Sequence, residues 1–199
     1  MKRNRNCTRC PLHEHCRTTC LWGSGDPNAK VMFIGEAPGR IEDMKGEPFV
    51  GEAGDLLDKV LFKLGLEREM FYITNCFKCR PPNNKLPGIR EQREWFDCCW
   101  PYLEQEIQDV DPSVIVLLGG TPLRLLVGEN KITKWEGMEI ETVYEGARTF
   151  ASFHPAYVLR SPSREVRLGQ AIARAAKVAG HRVKPKGLEA PRYDYEVRM

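Results

Sequence analysis

Two sets of residues in this chain of 199 have types and spacings that do chemistry. The first is the run at 35–43, GEAPGRIED, which follows directly on the apolar stretch VMFI. A strand that enters Gly, Ala, Pro and Gly must turn sharply, and Gly35 and Gly39 permit close backbone approach to a ligand. Glu36, Glu42 and Asp43 surround the turn, so a molecule bound there meets amide donors and acidic acceptors together. The same run also suits a plain strand-to-helix loop with solvated acids, because short glycine motifs are common. The second set is the eight cysteines, in two groups: Cys7, Cys10, Cys16 and Cys20, then Cys76, Cys79, Cys98 and Cys99. Each group holds a C-x-x-C. Thiolates two residues apart converge on one ion or cluster from a tight turn, which marks Cys7 with Cys10 as a metal-ligand pair. Cys76 and Cys79 are a weaker pair, because strand alternation sends them to opposite faces unless the strand has already stopped. One site using Cys7, Cys10 and two later cysteines, or two separate zinc sites, both satisfy the spacing. Cys16, Cys20, Cys76 and Cys98 otherwise read as buried, inert thiols.

The elements that must position these residues alternate. Residues 31–35 read as a strand, and 52–64 carry Leu56, Leu57, Val60, Leu61 and Leu64 at helical spacing, with Gly65 as a stop. FYITN is a second strand. Residues 89–108 place Phe96, Cys99, Leu103 and Ile107 on one helical face, with Pro101 expected to kink or reset the helix. SVIVLLG is a third strand, apolar throughout as a strand covered on both faces must be, and helical spacing resumes over 121–127. Short strands around 138–144 and 148–153 precede a last helix near 164–179. Strand and helix in alternation predict an α/β fold with a largely parallel central sheet. In such sheets ligands bind beyond the carboxyl ends of the strands. Three polar sets fall there: 35–43 after the first strand, Asn75 after the second, and His154 with Pro155 after the last. Taken with Phe49 in the loop GEPFVG, they predict one shared pocket.

Composition bounds the setting. Lys and Arg number 30 against 27 Asp and Glu, a mildly basic balance that permits a polyanionic partner without demanding one. No apolar run reaches the length that spans a bilayer, and the N-terminal MKRNRNCTRC is basic without an apolar signal core. The expectation is a cytoplasmic protein with no membrane partner, where a reducing poise points cysteines to metal before disulfides, thermophiles excepted. One domain is expected over 1–180, including the N-terminal cysteine segment, followed by a loose, charged, proline-broken tail at 181–199.

GEAPGRIED, GEPFVGEAGDLLD, YITNCFKCRPP, a cysteine before PYL, LLG and HPAYVLR, in that order, resemble the type-4 uracil-DNA glycosylases that carry an iron-sulfur cluster. The resemblance covers roughly residues 7–160. It implies a three-layer α/β/α sandwich and a monofunctional enzyme of base excision repair. Such an enzyme flips deoxyuridine out of single- or double-stranded DNA, hydrolyses its N-glycosidic bond and leaves an abasic site. It implies one [4Fe-4S] cluster on Cys7, Cys10, Cys79 and Cys99, the last chosen over Cys98 because it directly precedes W-P-Y-L. It places Gly35, Glu36, Ala37, Glu42, Phe49, Asn75 and His154 around uracil: Phe49 stacked on the ring, Asn75 on its Watson-Crick edge, Glu42 near C5 where its bulk excludes thymine. His154 donates to uracil O2 as charge develops there, and Glu36 or Glu42 helps place water. Ala37 stands where other branches of the superfamily often have an Asp that orients this water. Val158 or Leu159 is the expected wedge into the DNA stack and Arg160 the phosphate contact. A monomer is expected, with a sliding clamp or other repair proteins as further partners.

Two other classes compete with this reading. One is a DNA-binding or redox module that keeps fold and cluster without catalysis, against which the joint presence of Asn75 and His154 argues. The other is a zinc-stabilised binding protein, distinguished by colour and acid-labile sulfide. After Cys79 the segment RPPNNKLPG lacks a basic, His-containing insertion found in relatives that bond covalently to the abasic product.

Overall fold

A computed structural model describes residues 4–140 and 142–186. Its centre is a six-stranded sheet in which β1 (Ser24–Gly25), β2 (Val31–Gly35), β3 (Tyr72–Asn75), β4 (Val114–Leu118), β5 (Glu139–Ile140) and β6 (Arg148–Ser152) are ordered β1-β3-β2-β4-β6-β5. The four middle strands run parallel, and the two-residue strands at the edges are antiparallel. Short edges limit further strand pairing.

The apolar runs behave as strands buried on both faces. Val31 and Phe33 of β2 join one core with Val114, Val116 and Leu118 of β4, against α2 (Glu52–Lys63) and α7 (Glu165–Val178). Met32, Ile34, Ile115 and Leu117 point the other way, onto α3 (Ile89–Val110). Helices therefore cover both faces, giving the three layers expected. The parallel strands and flanking helices match the sequence reading to within a few residues. Three short helices were not foreseen: α1 (Arg40–Lys45), α5 (Ile132–Trp135) and α6 (Pro155–Arg160). With α4 (Gly120–Val127) they complete the α-helices among the described residues.

Pro101 neither ends nor resets α3, which runs through it. Pro101 and Asp97, whose carbonyl loses its donor, both face solvent, so water can satisfy the freed group. Of the expected loose tail, residues 181–186 pack back onto the fold. Lys184 and Lys186 donate their amides to the carbonyls of Leu64 and Lys63, at 2.9 and 2.6 Å, and so cover the C-terminal end of α2. The rest of that tail, 187–199, lies outside the described residues.

The chain leaves β2 toward β3 on one side and later places β4 on the other side of β2. Beyond the carboxyl ends of β2 and β4 the crossovers diverge, which opens a crevice where ligands bind in sheets of this kind.

Candidate active site

A cavity of about 410 Å³ occupies that crevice, within the size range of small-ligand sites. Each parallel strand delivers one part of its wall: Glu36 and Ala37 after β2, Asn75 at the end of β3, Gly119 after β4, and His154 after β6. Glu42, Phe49, Tyr157 and Arg160 also line it. Six of the seven residues expected around the base thus share one cavity. The seventh, Gly35, supports it from behind, for a Cβ there would stand 2.5 Å from Asn75 Oδ1 and 2.6 Å from Phe49 Cζ.

Asn75 is 3 % exposed, and its Oδ1 is buried with no hydrogen-bond partner among the described residues. A buried acceptor left unpaired costs about 1–3 kcal/mol, so this oxygen is set for a donor that arrives with a ligand. Phe49 faces His154 with ring centroids 5.5 Å apart and planes inclined by 31°. Its φ of 54° is a left-handed conformation that is costly for an aromatic residue and concentrates at functional sites.

His154 caps the N-terminus of α6. Its Nδ1 accepts the Ala156 amide at 3.1 Å, which leaves the proton on Nε2. Burial, with a smaller contribution from the Arg160 guanidinium, lowers its pKa to about 4. The ring is therefore a neutral donor at neutral pH. Gly119 makes room for it: φ is 99° there, and a Cβ would lie 2.9 Å from His154 Cβ.

The acids divide their work. Glu36 Oε2 accepts the Thr121 hydroxyl at 2.5 Å, across the gap between β2 and β4. Glu42 and Asp43, read in the sequence as loop carboxylates, stand instead on helix α1. The Glu42 carboxylate accepts the Gly51 amide at 2.9 Å, at the N-terminus of α2 where backbone donors lack helical partners. Asp43 turns away from the cavity. Its carboxylate accepts the amides of Arg17 and Thr18 at 2.9 and 2.8 Å.

Residues 155–160 form a helix, and its two wedge candidates differ in exposure. Val158 is 1 % exposed and belongs to the core, so it is withdrawn as a wedge, whereas Leu159 is 42 % exposed. Tyr157, exposed and lining the cavity, was not foreseen. Thr121 and Gly51 were also missed, since nothing in a lone Thr or Gly announces a partner 85 or 9 residues away.

The cysteines gather in and around one core layer of the sheet. Cys10, Cys79 and Cys99 are buried in the core layer beside α3. Cys10 and Cys99 are in thiol contact, as are Cys16 and Cys79. Cys7 lies against the Tyr102 hydroxyl. Cys98 gives its thiol to the carbonyls of Arg9 and Glu94, at 3.3 and 3.5 Å, which leaves Cys99 as the inward residue of that pair. Among the described residues no three His, Cys, Asp or Glu side chains converge on one point. The thiols of Cys10, Cys79 and Cys99, buried in one layer, are soft donors of the kind that hold an iron-sulfur cluster.

The profile of the uracil DNA glycosylase superfamily matches residues 22–176. Over 168 residues the chain is 43 % identical to the type-4 uracil-DNA glycosylase of Thermotoga maritima, covering 83 % of this chain and 84 % of that one. It is 40 % identical over 164 residues to the type-4 enzyme of Archaeoglobus fulgidus, covering 79 % and 80 % of the two chains. For the type-4 enzyme of Sulfurisphaera tokodaii the values are 40 % over 166 residues, covering 79 % and 73 %. Identity of this extent over four fifths of the chain, within a superfamily match that spans most of it, makes the chain a member of the type-4 uracil-DNA glycosylases.

Proposed function

We propose that the protein extrudes deoxyuridine from DNA into this cavity and hydrolyses the N-glycosidic bond with water, releasing uracil and leaving an abasic site. The observation that carries the reading is the unpaired buried Oδ1 of Asn75, flanked by Phe49 and His154. A side-chain amide accepts from N3–H of uracil through oxygen and donates to O4 through nitrogen, which no pyrimidine with cytosine's edge satisfies. Phe49 stacks on the ring. A base paired inside a duplex cannot reach such a pocket, so it must be flipped at a cost of a few kcal/mol. Leu159 fills the vacated stack, and Arg160 meets a phosphate.

Bond cleavage moves negative charge onto uracil O2 and positive charge onto the deoxyribose. His154 Nε2–H donates to that oxygen, and because Nδ1 is already occupied by Ala156 the ring need not reorient. Glu36, which lines the cavity and is tethered by Thr121, or Glu42 helps place the attacking water. Glu42 stands at C5 of the ring, where a methyl group would collide with it.

Cys7, Cys10, Cys79 and Cys99 would hold a [4Fe-4S] cluster. Held there, it would cross-link the N-terminal segment, the loop after β3 and helix α3.

The test is direct. An oligonucleotide with one deoxyuridine, single-stranded or opposite guanine, is expected to lose free uracil, measured by mass spectrometry, while thymine opposite guanine stays in place. A methyl group alone separates ligands by about 1–3 kcal/mol, so the remaining discrimination comes from flipping and the transition state. Absence of uracil release overturns the reading; thymine release at a comparable rate removes Glu42 from its role.

A further inference from the structure

Asp43 is a buried carboxylate that the proposed chemistry does not use. It stands beside Glu42 on α1, a helix of six residues, too short to persist by its own hydrogen bonds. Two sets of contacts anchor it. Glu42 accepts the Gly51 amide on the cavity side. On the other side Asp43 takes the Arg17 amide on both carboxylate oxygens, at 2.9 and 3.1 Å, and the Thr18 amide at 2.8 Å. The Thr18 hydroxyl closes the clasp by donating to the Asp43 carbonyl at 2.7 Å. Arg17 and Thr18 belong to the segment between Cys16 and Cys20. That segment is itself fixed to the loop after β3, for the Cys20 amide donates to Cys79 Sγ at 3.3 Å and the Leu21 amide to the Lys78 carbonyl at 2.6 Å.

We propose that Asp43 is a specificity-positioning residue. By clasping the Cys16–Cys20 segment it fixes the orientation of α1 and so holds Glu42 against the C5 side of the bound base. The two neighbouring carboxylates act as a pair, one gripping the cysteine segment and the other presented to the ligand. With the Asp43 side chain removed, α1 keeps the Glu42–Gly51 bond and the Thr18 hydroxyl on the backbone carbonyl of residue 43, but loses the three amide contacts that fix its orientation. The wall that meets a 5-methyl group then yields. Hydrogen bonds to a charged group are individually strong and costly to lose when buried, so the clasp is a stiff one.

This inference rests on the placement of Glu42 at uracil C5, and two readouts separate its failure from failure of that placement. Asp43→Ala removes every side-chain acceptor. Asp43→Asn keeps the shape and the oxygen that receives both amides, but sets an NH₂ where the second oxygen met Arg17. Hydrogen exchange of the 41–45 amides is expected to speed up in the order parent, Asn, Ala, with iron content unchanged. The ratio of uracil to thymine excision from the same sequence context is expected to fall in the same order, by about tenfold in the Ala variant. Unchanged exchange in both variants overturns the clasp. Faster exchange with an unchanged ratio overturns the role in specificity, and Asp43→Asn keeps that test open if Asp43→Ala fails to fold. A parent protein that releases no uracil defeats the functional reading, while the exchange data still judge the clasp.

Discussion

His154 uses its two ring nitrogens for two purposes: Nδ1 caps α6 and Nε2 faces the cavity. The cap needs the neutral ring, and in that tautomer Nε2 carries the proton it donates. The folded protein holds its pKa at about 4, below the ordinary 6.5, chiefly by burial. Between those values the unfolded chain binds a proton that the native chain does not. The contribution of His154 to stability is therefore complete above about pH 6.5 and is lost as pH falls through about 4. Single-turnover excision is expected to show no step near pH 6.5 and to decline only toward pH 4; an inflection at the ordinary histidine value would mean that the ring is solvated. Asn75, His154 and Phe49 were legible in the sequence because each sits just past a strand or inside a motif with a recognisable order. Thr121 and Gly51 were not, since their roles arise from side-chain contacts, one across the sheet and one between α1 and α2, that no local pattern encodes. Val158 and Leu159 were indistinguishable until helix α6 turned one inward and the other outward.

The short helices α1 and α6 give the cavity Glu42, Tyr157 and Arg160, and neither helix was foreseen. Each has six residues, less than two turns of hydrophobic repeat, so periodicity has too few positions to register. The long elements were plain because β2, β4 and α2 present uninterrupted apolar runs or a full helical stripe. The cysteine segment sits between these cases. Spacing singled out Cys7 and Cys10, and the fold adds the inward orientation of Cys79 and Cys99. Serine at Cys7, Cys10, Cys79 or Cys99 is expected to abolish iron binding and to reduce the yield of folded protein, whereas Cys98→Ser retains iron, because that thiol is directed to the Arg9 and Glu94 carbonyls. Iron and acid-labile sulfide analysis of the purified variants checks this. Iron lost from Cys98→Ser but kept in Cys99→Ser would reverse the assignment.

The molecule as a whole is tied together beneath the site by a buried ionic knot. Lys78 and Glu106, 1 % and 2 % exposed, pair directly. Thr74 and Tyr72 of β3 and the Gly23 amide also donate to the Glu106 carboxylate. The knot joins α3 to the strand that ends in Asn75 and to the residue before Cys79. Breaking such a pair from one side leaves a buried charge and costs about 3–5 kcal/mol. Glu106→Gln and Lys78→Met are each expected to lower the denaturation midpoint markedly, and the double variant by less than the sum; strict additivity in denaturant titrations would show that the two residues act separately. No described helix is long and apolar enough to cross a membrane. In the proposed reaction this scaffolding serves one hydrogen bond, from His154 to uracil O2. The decisive comparison is single-turnover uracil excision by the parent protein and by His154→Ala, with DNA affinity and iron content measured alongside. The parent is expected to release uracil and the variant to do so about 10²- to 10³-fold more slowly, at unchanged affinity and iron. Equal rates, or a loss of activity that merely follows a loss of DNA binding, would contradict the placement of His154 at the reacting base.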